Sequence, residues 1–263
     1  MQEPMFRDLG IDPEEFWREN DRLKQDAAAL DTDINTDTFY MVSLLKYIEE
    51  GKIPPLSNSD LKRYGGAIRP FPGLPDFFLR TKREVAVRYG KNNIRLEHYI
   101  ISTGLRKMIQ GSSLNVPGAI DQIFASEFLE HDGVIRWPAR DVGFIGKTQY
   151  LYEASKGTNI DPTINVNRRI LYQRRRIPFE NMVYVGDGFT DVPCMTMITK
   201  LKGQSIGVYN PSRPNAHNEV QELLREGRVS RIAQTDYREG GEASNTIEES
   251  INKIARKIIG SRR

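Results

Sequence analysis

The chain has 263 residues with 38 Lys and Arg against 35 Asp and Glu, a formal net charge of +3. A charge that small for this length does not mark a nucleic-acid binder. Its 38% hydrophobic and 28% charged content supports a sizeable buried core and excludes global disorder. The single cysteine, Cys194, excludes an internal disulfide framework and suits a reducing compartment. No apolar run approaches the roughly 20 residues that span a bilayer. Met1 to Asp8 lacks the basic start and apolar run of a signal peptide. These features lead to the expectation of a cytoplasmic protein with neither a nucleic-acid nor a membrane partner. They carry no signal of oligomeric state.

Residues 11 to 50 read as helical. Asp12-Pro13-Glu14-Glu15 is a helix start, with an N-cap aspartate, proline at the first helical position and acids in the first turn. Phe16, Leu23, Ala27 and Leu30 continue the helical spacing until Asp31-Thr-Asp-Ile-Asn-Thr-Asp37 interrupts it. A second helix, with Met41, Leu44, Leu45 and Ile48 on one face, runs to Gly51, and a short helix is expected from Ser59. No strand pattern precedes residue 80. The expectation is a helical unit over residues 1–70.

Beyond it the pattern changes. Phe71-Pro-Gly-Leu-Pro75 is a turn into a helix at Asp76. Leu96 to Ile101 reads as a strand ending in Ser102-Thr103-Gly104, with a helix at once from Leu105. Hydroxyls and helix N-terminal N–H groups at such a junction can donate to an anion, or the hydroxyl can merely cap the helix. Ile120 to Phe128 and Gly133 to Trp137 read as strands joined at His131-Asp132-Gly133. Lys147 opens the next helix, against the helix dipole. That placement fits a solvated surface lysine or one with an anionic partner. Arg168-Arg169 and Arg174-Arg175-Arg176 read as a solvated basic face.

Met182 to Val185 is a short apolar run, a buried strand, ended by Gly186. Asp187, Gly188 and Asp191 follow. Two carboxylates just past a strand's carboxyl end lie where open α/β sheets bind ligands, and carboxylate oxygens are preferred Mg²⁺ ligands. The plainer reading is an acidic turn that caps the next helix. A helix with Met195 and Ile198, a strand Ser205 to Tyr209, a helix His217 to Arg225, a strand Val229 to Ala233 and a helix Thr246 to Ile259 complete the chain. The βα order predicts an α/β fold: a Rossmann-like, mainly parallel sheet over residues 71–263, with Leu96–Ile101 and Met182–Val185 in one sheet.

In this order the motifs resemble those of the haloacid-dehalogenase-like (HAD) hydrolases. Gly186-Asp187-Gly188-Phe189-Thr190-Asp191 resembles the family's fourth motif, Ile100-Ile101-Ser102-Thr103-Gly104 its second, and Lys147 its third. The resemblance implies a Mg²⁺-dependent phosphatase acting on a small phosphorylated metabolite through an aspartyl-phosphate. Asp187 and Asp191 would hold the metal. Ser102, Thr103, Gly104 and Lys147 would bind the phosphoryl group, with Lys147, Ser102 and Asp191 as catalytic residues. Residues 1–70 would be the family's cap. The first motif, a strand ending in Asp-x-Asp that bears the nucleophile, is expected ahead of residue 1, and its strand would lie between Leu96–Ile101 and Met182–Val185 in the sheet. Asp31-Thr32-Asp33 follows Ala27-Ala28-Ala29-Leu30, a run of helix formers rather than of strand formers. The other reading open here is a protein without the nucleophile, binding phosphate or Mg²⁺ in a regulatory role.

Overall fold

The computed structural model describes residues 3–262. Helices α1 (Glu3–Asp8), α2 (Pro13–Ala29), α3 (Tyr40–Glu49), α4 (Asn58–Gly65) and α5 (Asp76–Tyr89) come first. Strand β1 (Tyr99–Leu105), helix α6 (Arg106–Gly111) and strands β2 (Gln122–His131) and β3 (Val134–Arg140) follow. The rest alternates: α7 (Lys147–Lys156), β4 (Val183–Gly186), α8 (Val192–Lys200), β5 (Gln204–Tyr209), α9 (Ala216–Arg225), β6 (Arg231–Gln234) and α10 (Glu242–Ser261). Among the described residues no helix is long and apolar enough to cross a membrane.

The chain divides into two compact units. The first combines the residues up to Pro70 with His98–Gly143, and the second combines Phe71–Glu97 with Phe144–Arg263. This departs from a helical unit ending at residue 70. The helices of the first unit leave an apolar surface that includes Met5, Phe6, Phe16, Met41, Leu44, Leu61 and Tyr64. Leu105, Met108, Phe128 and Ile135, from β1, α6, β2 and β3, complete that core. A helical pattern read alone shows which face is apolar but not what covers it.

In the first unit, Asp12 accepts from the Glu14 N–H at 2.9 Å and caps α2 as expected. Ser57 and Asp60 form a reciprocal capping box at α4. β1 pairs parallel with β2, and β2 pairs antiparallel with β3. The β2–β3 turn uses Asp132 (φ 51°) and Gly133 (φ 75°), both left-handed, as a tight hairpin requires.

In the second unit β4, β5 and β6 form a parallel sheet in that order. The fold class is therefore α/β, with strands and helices alternating through this unit. One face of the sheet, through Val183, Val185, Ile206 and Val208, packs on Phe77 and Phe78 of α5 and Ile247 and Ile251 of α10. The other face meets α8 and α9. A Cβ at Gly207 would lie 3.3 Å from Val220 of α9. The expectation that Leu96–Ile101 and Met182–Val185 share a sheet is corrected: the first strand begins at Tyr99 and sits in the β1–β2–β3 sheet, the second in the β4–β5–β6 sheet. The βα order showed that parallel pairs exist, but it carries no information on which strands are neighbours.

α4 and α6 cross at two glycines. A Cβ at Gly111 would lie 1.7 Å from the Lys62 carbonyl oxygen, and one at Gly65 would lie 2.0 Å from that of Met108. Backbone cannot retreat as a flexible side chain does, so Gly111→Ala is expected to destabilise the protein by about 3 kcal/mol or more. Urea denaturation should show a lower midpoint at an unchanged slope.

Candidate functional site

The site is built within the second unit around β4. Alternation along this strand sends Val183 and Val185 to the α5–α10 face. Tyr184 and Gly186 face the other way. Gly186 meets Asp191 directly: a Cβ there would lie 2.6 Å from the Asp191 Cβ, Cγ and Oδ2. Only glycine lets the Asp191 carboxylate fold back against the end of the strand.

Asp191 occupies the N-cap position of α8, yet its side chain makes no capping hydrogen bond. The plain reading of an acidic residue that caps a helix is thereby corrected. Its Oδ1 accepts from Lys147 Nζ at 2.8 Å and from the Tyr184 hydroxyl at 2.6 Å. Its Oδ2 lies 3.3 Å from the Asp187 backbone N–H, which donates to it. Both oxygens are therefore engaged by the protein itself.

Lys147 starts α7 with its charge against the helix dipole, as the sequence indicated, but it is buried, at 4% exposure. The reading of a solvated surface lysine is overturned, and the anionic partner is Asp191. Nζ also donates to Thr190 Oγ1 at 3.0 Å. An ammonium has three donors, and the third has no partner among the described residues.

Asp187 lies one residue beyond β4, with its side chain reaching solvent. Enough protein crowds it to raise its carboxyl above the usual carboxylate range. Desolvation is the main cause, Asp191 adds to it, and the positive charges of Arg213 and Lys147 oppose it. The same crowding acts on its neighbours. Tyr237 is raised by burial and by the Asp187 charge. Tyr184 is held well above the usual phenol range by burial and the Asp191 charge. The Cys194 thiol, buried at the start of α8, is pushed up to about 11, chiefly by desolvation, so it stays protonated and is no nucleophile at neutral pH.

Of the residues singled out from sequence, Lys147, Asp187 and Asp191 come together. Ser102, Thr103 and Gly104 belong to the first unit, where the structure places them at an irregularity of the β1 ladder. The Ser102 hydroxyl accepts from the Gly104 N–H at 3.0 Å. The Thr103 carbonyl accepts from Tyr40 and Ser126 at 2.9 and 3.1 Å. Asp31 follows α2 with a left-handed φ of 54°, its N–H bonded to the Ala28 carbonyl, so Asp31-Thr32-Asp33 is a helix end and not a strand end. Arg175 of the basic run stacks over the Phe179 ring at 4.9 Å, so that run is not wholly a solvated face. Tyr184, Thr190, Arg213 and Tyr237 escaped the sequence reading. Only Tyr184 had a legible signal, since period-2 alternation puts it on the face of Gly186.

A hard cation fits the donor set at Asp187. Among the described residues its carboxylate oxygens have no hydrogen-bond donor beyond its own backbone, and they are crowded enough to favour a counter-charge. Among the described residues there is no group of three or more metal-ligating side chains. Mg²⁺ does not demand one, since it keeps several waters and takes one or two carboxylates.

No family model matches the chain. It is 28% identical over 273 residues to an uncharacterized protein of Borreliella burgdorferi, covering 95% of this chain and 91% of that one. Among solved structures it is similar to a HAD family hydrolase from Salmonella enterica serovar Typhi, at 19% identity and a TM-score of 0.49 over 87% of this chain. The chain spans about 60% of the length of that hydrolase.

Two measurements check this geometry. Lys147→Met leaves a buried, uncompensated carboxylate and is expected to cost about 3–5 kcal/mol, and the double variant Lys147→Met, Asp191→Leu should recover much of the loss. For Asp187, the folded pKa is raised, so its contribution is fully present below the unfolded value and is lost as pH rises through the folded one. At neutral pH in chelator, Asp187→Asn should therefore raise Tm, and the gain should disappear below the carboxylate range.

Proposed function

We propose that the second unit carries the phosphate- and metal-binding part of a HAD-like phosphohydrolase site, acting on a small phosphorylated metabolite. The observation that supports this is Lys147. Its ammonium is buried, pinned by Asp191 and Thr190, with one N–H to spare beside the loop that carries the solvent-reaching Asp187, near the carboxyl edge of a parallel sheet. That edge is where open α/β sheets bind ligands. Phosphoryl transfer depends mainly on positioning and charge neutralisation, and a fixed lysine beside a hard-cation ligand meets both needs.

In this reading Asp187 holds Mg²⁺ and Asp191 stands behind it. Asp191 fixes Lys147 and, through the Asp187 N–H, the loop that carries the metal ligand. When bound, Mg²⁺ supplies positive charge to the phosphoryl oxygens. Lys147 directs its remaining N–H at one of those oxygens. The Tyr184 hydroxyl keeps Asp191 oriented and shares its charge, so the lysine is not wholly neutralised by its partner. Ser102, with Thr103 and Gly104, is assigned to phosphoryl binding on the resemblance of its motif, with residues 1–70 as part of the cap.

Neither carboxylate of the cluster is placed to attack phosphorus: Asp191 is fully engaged, and Asp187 is the metal ligand. The aspartyl-phosphate route needs a further carboxylate, and without one the site binds Mg²⁺ and phosphate with little turnover. The test is hydrolysis of an aryl phosphate with added Mg²⁺. One arm is the 263-residue chain; another carries an apolar strand ending in Asp-x-Asp ahead of residue 1; a third adds Asp187→Asn to the second. The expected order is weak, strong, weak, with several orders of magnitude between the first two. Strong turnover by the 263-residue chain would overturn this account.

A further inference from the structure

One cation near the site has no part in the mechanism above. Arg213 lies in the loop that leaves the carboxyl end of β5, the strand that pairs with β4. Gly186 and Gly207 are partners in that ladder, so the loops bearing Asp187 and Arg213 leave the same edge of the sheet side by side. The Arg213 loop is ordered by its own backbone. Asn210 accepts from the Ser212 N–H on its side chain and from the Arg213 N–H on its carbonyl, both at 3.0 Å. The guanidinium donates through Nη2 to Glu219 of α9. That contact holds one edge of the fork and leaves the other donors without a partner among the described residues.

The two cations of the site differ in depth. Lys147 is buried and committed to Asp191, whereas the Arg213 side chain is 51% exposed, toward the rim. A planar fork at the rim suits oxygens that a phosphoryl group deep against Lys147 does not use. We propose that Arg213 is a specificity-determining residue that receives a second anionic group of the substrate, a carboxylate or a second phosphate, beyond the phosphoryl group held at Lys147 and Asp187. This rests on the phosphohydrolase reading, and it narrows the substrate class to metabolites with two separated anionic groups.

The test uses non-hydrolysable probes on the full chain with Mg²⁺, so it does not depend on turnover. Methylphosphonate carries one anionic group, phosphonoacetate adds a carboxylate, and methylenediphosphonate adds a phosphonate. Titration calorimetry should show at least one doubly anionic probe bound roughly tenfold or more tightly than methylphosphonate, the scale of a charged hydrogen bond. Which probe gains tells carboxylate from phosphate. Arg213→Gln should abolish that preference while leaving methylphosphonate affinity within about twofold, and Arg213→Lys should restore it in part. No preference in the parent protein, a preference unmoved by Arg213→Gln, or an equal loss for all three probes would overturn the inference and leave the phosphohydrolase reading standing. No binding of any probe would overturn both.

Discussion

The second unit is arranged around a buried ion pair, Lys147 with Asp191. Burying two charges is costly, and further hydrogen bonds to each partner offset that cost. The chain supplies them from separate elements. Tyr184 comes from β4, Thr190 and the Asp187 N–H from the loop, and Lys147 from the start of α7. Gly186 is the complement, since any side chain there would occupy the space of the Asp191 carboxylate. The pair thus ties α7 and α8 to one end of β4, and it fixes the loop from which Asp187 reaches outward.

Asp187 shows the opposite energetics. Asp191 is buried and satisfied, while Asp187 is crowded, close to another carboxylate, and without hydrogen-bond donors to its oxygens beyond its own backbone. A fold selected for stability alone would not keep a carboxylate there. Perturbed groups of this kind collect at functional sites, where the unmet charge is a binding capacity. Cys194 and Tyr184, by contrast, are shifted toward their neutral forms by burial, which removes them as competing nucleophiles or ligands.

The first unit is held by a different principle. Phe6, Phe16, Trp17 and Tyr47 form a ring cluster with centroids 4.6 to 6.4 Å apart along successive contacts. Such clusters bury large areas with defined geometry. The helices bearing them close over strand and helix residues that arrive much later in the chain, Leu105, Met108, Phe128 and Ile135. Gly65 and Gly111 allow α4 and α6 to come into backbone contact. This unit is therefore discontinuous in sequence while sharing one core.

The sequence by itself determined most of the local structure, because capping, periodicity and turn chemistry act over a few residues. Asp12 at the start of α2, the Asp132–Gly133 hairpin turn, the helix opening at Lys147 and the short strand before Gly186 were all legible in this way. The types of residue at the site were legible too, since carboxylates after a strand and a lysine against a helix dipole are locally unusual. Only the tertiary structure decided what those residues meet. Sequence could not show that the partner of Lys147 is Asp191, that Asp191 does not cap α8, or that the Tyr184 hydroxyl bears on Asp191 while the Arg213 charge acts on Asp187. Nor could it show that β1 and β4 lie in different sheets, or that His98–Gly143 joins the N-terminal helices. Those outcomes depend on which apolar faces cover one another and which charges are buried together, and both are set by residues far apart in the chain.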